Sequence, residues 1–458
     1  MTENVTLKIS ISGVRGVVGD SLTPQLAGRF ASAFGTYIGP GKVIVGRDAR
    51  SSGEMLENAV FAGLIAVGCQ PVDIGICPIP SVLLLTKDVR ARGGVVVTAS
   101  HNPREWNGLK FLSRRGLYLT ASEVEELLDI YHQGEFSFAR ADKHRPAISE
   151  PHPTRHHLAR LLGSLDVGLI RGKKIRVVAD CNNGAGAVLF PEFLEALGCE
   201  VTALNTTPDG TFAHQSEPVP ENLTGLCRRV REAGADVGFA QDADADRLAI
   251  VDENGRFIGE EYTLALSAAF VLRHRKGKLA TNLVTSRMID DIAGAAGCQV
   301  VRAPTGEANV VEAMLREGCI FGGEGNGGSI EPRVVAVRDS LVSIAYVLQY
   351  MAETNKTVSQ LVAEIPRYRM IKTKFPCSPG AAAQVAAETH KAFAGRADAQ
   401  FNTIDGLRID LPEGWVSVRA SNTEPIMRIM AEARDAAVAQ DLVDRVREIA
   451  DAAIAKAP

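Results

Sequence analysis

The chemistry available to this chain lies in a few short runs rich in hydroxyl, carboxylate and guanidinium groups. Thr98-Ala99-Ser100-His101-Asn102-Pro103 follows the apolar run Val95–Val97. Ser100 is thus expected at the carboxyl end of a buried strand, where parallel sheets bind ligands. A serine there can carry a phosphoryl group if a cation or base stands beside it; the plain alternative is a Ser/Asn/Pro turn. Asp242-Ala243-Asp244-Ala245-Asp246-Arg247 places three carboxylates at alternating positions directly after the apolar stretch at Asp236–Ala240. Such charges repel unless a cation neutralises them, and oxygen-only donors suit a hard ion such as Mg²⁺. The small alanines let the backbone turn tightly around an ion. A solvated acidic loop is the alternative. An EF-hand is disfavoured, because no Glu stands at the twelfth position of such a loop.

Two further loops carry ligand-binding groups. Gly322-Gly323-Glu324-Gly325-Asn326-Gly327-Gly328 allows close backbone approach, and Glu324 with Asn326 can hold sugar hydroxyls. A flexible linker is the alternative, but the apolar run Cys319–Phe321 before it argues for a built turn. Arg419-Ala420-Ser421-Asn422-Thr423-Glu424-Pro425 is a set of phosphate donors, in which Arg419 can engage two oxygens at once. Arg15, flanked by glycines, and Lys110, ten positions past Ser100, are the cations that can reach the serine. Phosphoryl transfer spreads negative charge over equatorial oxygens, so cations there lower the barrier. Taken singly, either is also a reasonable solvated surface charge.

The elements that must position these loops follow from periodicity. Strands are expected at Val43–Gly46, Val95–Val97, Ile175–Ala179, Leu248–Val251, Thr281–Val284 and Gln299–Arg302, with helices at Glu54–Val67, Pro191–Leu197 and Arg287–Ala296. Four helices end in Gly-Cys, at Gly68-Cys69, Gly198-Cys199, Gly297-Cys298 and Gly318-Cys319. Each glycine reads as a left-handed cap and each cysteine as a small apolar residue. This alternation predicts βαβ units and largely parallel sheets. Val438, Leu442, Val446, Ile449 and Ala453 fall on one face of a closing helix over Asp435–Ala455. Gly134–Pro153 reads as a polar link, and Glu253-Asn254-Gly255 as a tight turn.

A chain of 458 residues suggests about three domains. A formal net charge of −4 gives no electrostatic reason to expect nucleic acid or anionic membrane. No apolar stretch is long enough to span a bilayer, and the first residues lack a signal core. The eight cysteines contain no Cys-x-x-Cys pair, which fits a reducing, cytoplasmic setting. His152, His156 and His157 read as a solvated helix start rather than a metal site. Gly184-Ala185-Gly186 lacks the third glycine of a dinucleotide-binding fingerprint.

Taken together, the four loops resemble those of the α-D-phosphohexomutase family, in family order along essentially the whole chain. The resemblance implies three related α/β domains with mixed, largely parallel sheets and a smaller C-terminal α+β domain, around a central cleft. On that reading the divisions fall at 1–150, 151–255, 256–366 and 367–458. It further implies that Ser100 is phosphorylated and that Asp242, Asp244 and Asp246 hold one Mg²⁺ with a phosphoserine oxygen. Arg247 then orients the phosphate, and Arg15, His101 and Lys110 form the electrostatic and acid/base group. Glu324 and Asn326 meet the sugar, and Arg419, Ser421, Asn422 and Thr423 clamp the non-reacting phosphate. The implied reaction moves a phosphate between C6 and C1 of a hexose, with a hexose bisphosphate as intermediate and activator. Three departures bear on substrate. The sugar loop ends Asn326-Gly327-Gly328 where many members have Ser-Gly-His, Ala243 stands where glycine is common, and Asn422 where many phosphoglucosamine mutases have glycine. The Asn-Gly-Gly form resembles an archaeal-type group of phosphoglucosamine mutases; glucose and mannose phosphates are the alternative substrates. A Mg²⁺-dependent sugar phosphatase is the more remote alternative. A nicotinamide dehydrogenase and a non-catalytic binder fit less of the pattern.

Overall fold

The computed structural model describes residues 7–455, apart from 11–12, 218, 422–424 and the side chain of Pro379. Asn422 and Thr423 therefore lie outside the described residues. Within the described residues four sheets form. The first runs Lys8–Ser10, Gly13–Val17, Trp106–Ser113, Gly93–Val97, Lys42–Arg47, Gln70–Ile76, Ile148–Ser149. Its four last-named strands are parallel and the others antiparallel. The second runs Leu248–Val251, Val237–Gln241, Arg176–Asp180, Glu200–Leu204, and only its first pair is antiparallel. The third runs Val300–Ala303, Leu279–Asn282, Phe321–Glu324, Gly328–Glu331, Val335–Arg338, parallel over the first three and antiparallel thereafter. The fourth is wholly antiparallel: Arg369–Pro376, Ile426–Ala433, Gly414–Ala420, Leu407–Asp410, Gln400–Asn402.

Burial explains these choices. Gly93–Val97 and Val237–Gln241 are buried along their whole length, as strands covered on both faces must be. Helices Pro24–Ile38 and Gly53–Ala66 cover one face of the first sheet through Phe30, Phe34, Leu56 and Val60. Helix Ile79–Asp88 covers the other, and its leucines join a core that continues through Phe193 and Phe239 to Phe321 and Tyr346. The first three sheets thus share one apolar mass. The fourth has its own, built on Phe375, Phe393 and Ile429 under helix Ala436–Ile454. Of the expected stripe on that helix, Leu442, Val446 and Ala453 are buried and Val438 and Ile449 sit at its rim.

Gly68, Gly198, Gly297 and Gly318 all have positive φ, so the repeated Gly-Cys ends are left-handed caps. Cys69 and Cys319 are buried, while Cys199 and Cys298 are half-buried. Three sequence expectations shift. The strand expected at Thr281–Val284 lies at Leu279–Asn282. The strand expected at Cys319–Phe321 lies at Phe321–Glu324, because Gly322 and Gly323 pack against the carbonyls of Ala280 and Gly328 where no β-carbon would fit. The histidine group is also not uniformly solvated. His157 is fully buried, with Nδ1 2.8 Å from Ser81 Oγ and Nε2 2.7 Å from Asp339 Oδ2. It joins the first sheet's helix to the third sheet's last turn.

Candidate active site

Ser100 stands just past strand Gly93–Val97, with φ +54°. A non-glycine residue is held there only when its surroundings over-determine it. Here they do. The buried guanidinium of Arg50 donates to four carbonyls of the loop: Ser100 (2.6 Å), Asn102 (2.7 Å), Pro103 (2.6 Å) and Trp106 (3.0 Å). Asp48 Oδ2 accepts from Arg50 Nε at 3.0 Å. The Thr98 hydroxyl accepts from Ser100 N at 2.9 Å and lies 2.7 Å from Asp48 Oδ2. Ser100 Oγ is 3.4 Å from His101 Nδ1, and Arg15 Nη1 donates to Asn102 Oδ1 at 3.1 Å. Burial, with Arg247 and Arg15 nearby, pushes His101 down to about 2, so its ring is neutral.

The aspartate loop comes up to this serine from the second sheet. Asp244 Oδ2 lies 3.2 Å from Thr98 Oγ1 and accepts from Lys110 Nζ at 3.1 Å. The N–H groups of Asp246 and Arg247 each donate to Asp242 Oδ1 at 3.1 Å, and Ala245 makes the turn at φ +60°. Arg338 Nη2 donates to Asp246 Oδ2 at 2.6 Å. One oxygen of each aspartate is thereby committed. The other three, Asp242 Oδ2, Asp244 Oδ1 and Asp246 Oδ1, are buried without a hydrogen-bond partner. One ligand atom from each carboxylate falls within 4.8 Å of the others. An orphaned buried polar oxygen costs on the order of 1–3 kcal/mol, and more when it is charged, unless something binds it. Three of them converging on one point fit a hard divalent cation. Without one, burial and then Asp246 and Asp244 push Asp242 well above the usual carboxylate range. Asp246 stays low, because Arg338, Lys110 and Arg247 outweigh its burial.

Glu324 ends its strand beneath a mouth shared with both loops. Its Oε1 accepts from Asn282 Nδ2 at 2.8 Å and from Gly306 N at 3.1 Å; its Oε2 accepts from Arg338 Nη1 at 3.2 Å and Asn326 Nδ2 at 3.4 Å. Asn326 Oδ1 and Thr305 Oγ1 are buried and unpartnered. A cavity of about 340 Å³ is lined by Arg15, Ser100, Lys110 and Arg338, and one of about 640 Å³ by Lys372, Lys374 and Arg428. His101, Arg247, Thr305, Glu324 and Asn326 line both, so the two are one cleft reaching from the serine to the fourth sheet. At that end Arg419 Nε donates to Asp405 Oδ1 at 2.6 Å, and Asp405 Oδ2 accepts from Thr305 N at 2.8 Å. Ser421 closes its loop by donating its N–H to Ile426 O at 2.9 Å.

The structure brings Ser100, Arg15, His101, Lys110, Arg247, Glu324 and Asn326 to one cleft, buries the three aspartates behind its wall through Asp244, and links Arg419 to it through Asp405 and Thr305. Several participants escape sequence reading. Asp48 and Arg50 follow the strand expected at Val43–Gly46, so their position was a usable signal. Lys374, on strand Arg369–Pro376, pairs in antiparallel register with Arg428, on the strand that follows the fourth loop. Glu261 is pushed up to about 8 by burial, against the pull of Lys372, and its Oε2 accepts from Ser286 N at 3.0 Å. Nothing local marks Arg338, Glu307 or Asp405, which meet the site only through the fold.

The four domains of phosphoglucomutases/phosphomannomutases match in order: α/β/α domain I over residues 7–138, domain II over 155–255, domain III over 259–368 and the C-terminal domain over 374–449. A probable phosphoglucosamine mutase of Methanopyrus kandleri is 38% identical over 443 residues, covering 96% of each chain. A phosphoglucomutase/phosphomannomutase of Thermococcus kodakarensis is 39% identical over 443 residues, covering 94% of this chain and 96% of that one. The crystal structure of a phosphoglucomutase/phosphomannomutase family protein from Burkholderia thailandensis superposes with a TM-score of 0.86 at 27% identity, covering 98% of this chain and 99% of that one. With all four domains matched in order and relatives of 38–39% identity along nearly the whole chain, the chain belongs to the phosphoglucomutase/phosphomannomutase family, the α-D-phosphohexomutases.

Proposed function

We propose that this phosphohexomutase interconverts glucosamine 6-phosphate and glucosamine 1-phosphate through a phosphorylated Ser100. One observation carries the chemistry: three carboxylates with an unpartnered oxygen each cluster beside a serine loop, Thr98 joins the two, and Lys110 reaches the same Asp244 oxygen. Asp242, Asp244 and Asp246 would hold Mg²⁺, with a phosphoserine oxygen in the set. The chemistry such an ion supplies is neutralisation of charge on the phosphoryl group.

The side chains account for the rest. Arg50 and Thr98 hold the serine loop in its left-handed turn. Arg15, Lys110 and Arg247 supply positive charge where the equatorial oxygens of the transferring group lie. A sugar hydroxyl attacks phosphorus while the bond to Ser100 Oγ breaks. The hydroxyl proton is relayed through the His101–Lys110 group to the departing Ser100 oxygen, which lies 3.4 Å from His101 Nδ1, so the serine leaves as a neutral hydroxyl. The bisphosphorylated sugar then reorients, and Ser100 takes the other phosphate, so the enzyme returns to its starting form. A trace of hexose bisphosphate keeps the serine loaded. Asn326 Oδ1, Thr305 Oγ1 and Glu324 offer the polar partners for ring substituents. Arg419, Ser421, Asn422 and Thr423 form the distal phosphate clamp, with Arg428 and Lys374 beside it.

We assign the divisions at 150, 255 and 366. The Asn326-Gly327-Gly328 ending and relatives named as phosphoglucosamine mutases favour the amino sugar. Among the described residues no helix is long and apolar enough to cross a membrane, and the cysteine pattern favours the cytoplasm. The test is kcat/KM with Mg²⁺ and trace bisphosphate for glucosamine 6-phosphate, glucose 1-phosphate and mannose 1-phosphate. A clear preference for the amino sugar supports the assignment. A preference for either other sugar keeps the mechanism and removes the substrate. Full turnover by Ser100→Ala would overturn the phosphoserine mechanism itself.

A further inference from the structure

We infer that Arg338 is a positioning residue that ties the cation-binding loop to the sugar-binding loop with one planar guanidinium. Its Nη2 donates to Asp246 Oδ2 at 2.6 Å and its Nη1 to Glu324 Oε2 at 3.2 Å, while its Nε lies 3.3 Å from Glu307 Oε2. Asp246 belongs to the second sheet and Glu324 to the third, so the fork spans the seam between them. Its effect on each carboxylate is specific. By occupying Asp246 Oδ2, it leaves Oδ1 without a hydrogen bond, as Asp242 Oδ2 and Asp244 Oδ1 are, in three carboxylates that each offer a ligand atom within 4.8 Å of the others. By occupying Glu324 Oε2, it fixes the plane of the carboxylate that lines both parts of the cleft.

The last glycine of the sugar loop exists to admit this arginine. A β-carbon on Gly328 would stand 2.3 Å from Arg338 Cδ and 2.8 Å from Cγ. The Arg338 stem therefore fills the volume that any side chain at 328 would need, and its head takes up polar duties there. A rigid fork can satisfy two acceptors in a fixed geometry, whereas an ammonium is a point charge and cannot hold both in the same plane. A buried arginine can also serve as simple cement between sheets. The two roles separate in their consequences: cement affects unfolding alone, whereas positioning changes the affinity of two ligands at once.

This inference rests on the mutase reading for its sugar arm but not for its cation arm. The experiment compares Arg338→Lys and Gly328→Ala with the wild type. Mn²⁺ binding is followed by electron paramagnetic resonance without substrate, and KM and kcat for the best hexose phosphate are measured alongside. Arg338→Lys keeps the charge and loses the fork; Gly328→Ala keeps every charge and displaces the stem. Both are expected to weaken Mn²⁺ binding about tenfold, the lower end for removing an outer-shell partner, and to raise KM by a similar factor. If Arg338→Lys does not fold, Gly328→Ala decides. Mn²⁺ affinity within twofold of wild type in a folded variant overturns the inference, whatever happens to thermal stability. If the wild type isomerises no hexose phosphate, the mutase reading fails and the Mn²⁺ result still decides the role of Arg338.

Discussion

Ser100, the residue we propose as phosphoryl carrier, sits on a backbone that L-residues rarely adopt, and Arg50 is what keeps it there. Arg50→Lys is expected to leave the chain folded but to lower kcat by about a hundredfold, the scale of effect when a reacting group shifts by an ångström. Steady-state kinetics beside a thermal melt check this, and an unchanged kcat would rule the brace out. A second buried charge makes its own statement about pH. The Glu57 carboxyl is pushed up to about 7 by burial and by Asp73, despite the Arg47 Nε that it accepts at 3.0 Å. The unfolded chain loses that proton near its ordinary value of 4.5, and the folded chain only near 7. Between those limits the folded state binds the extra proton, so stability from this group falls as pH rises, at up to about 1.4 kcal/mol per pH unit. Glu57→Gln should flatten that slope in urea titrations from pH 4.5 to 7, without touching activity.

At the scale of elements, three loops occupy one topological position. Ser100, the aspartates and Glu324 each lie where a sheet's last parallel strand gives way to its first antiparallel neighbour. Ligand groups gather at carboxyl ends of parallel strands because chain reversal there opens a crevice. The arrangement tolerates little movement between strands. Gly108 pairs with Arg15 across the first sheet, and a β-carbon on it would stand 2.4 Å from Val14 O and 2.8 Å from Thr98 O. Gly108→Ala must part the strands carrying Arg15 and the serine loop, with an expected loss of roughly 1–3 kcal/mol and a fall in kcat. Gly294, inside helix Met288–Ala295, has open space around its α-carbon. Gly294→Ala should therefore stabilise by about 0.5–1 kcal/mol and leave kinetics unchanged. Denaturant melts of the pair test whether space, rather than glycine as such, sets the sign.

Across the whole molecule, one apolar core runs through three sheets while the fourth keeps its own. The seam between the third and fourth is therefore polar. Arg287 Nη2 donates to Asp410 Oδ1 at 2.8 Å, Arg408 donates to Leu283 O, and Asp405 bridges Arg419 and Thr305 N. Such contacts exchange readily with water, which suits the proposed phosphate clamp, whose mechanism has the bisphosphorylated sugar released and turned. Asp405→Asn retains one acceptor and loses the charge that aligns Arg419. It is expected to raise KM for the hexose phosphate roughly tenfold, the worth of one charged hydrogen bond, with little change in melting temperature; an unaltered KM would show that Arg419 is aligned without it. Much of this site was legible in the chain because each loop is local. Thr98–Pro103, Asp242–Arg247 and Gly322–Gly328 keep their chemistry within a few residues, and hydrophobic period and Gly-Cys caps place the strands and helices around them. What remained hidden were groups whose meaning depends on distant partners. His157 looks like a surface residue until Ser81 and Asp339 close over it. Arg338, Glu307 and Asp405 are ordinary charges until the sheets pack. Composition and spacing marked which loops carry groups able to do chemistry; only tertiary packing decided which buried charges meet them, because burial and pairing are set by what lies across a seam and not by what lies next in the chain.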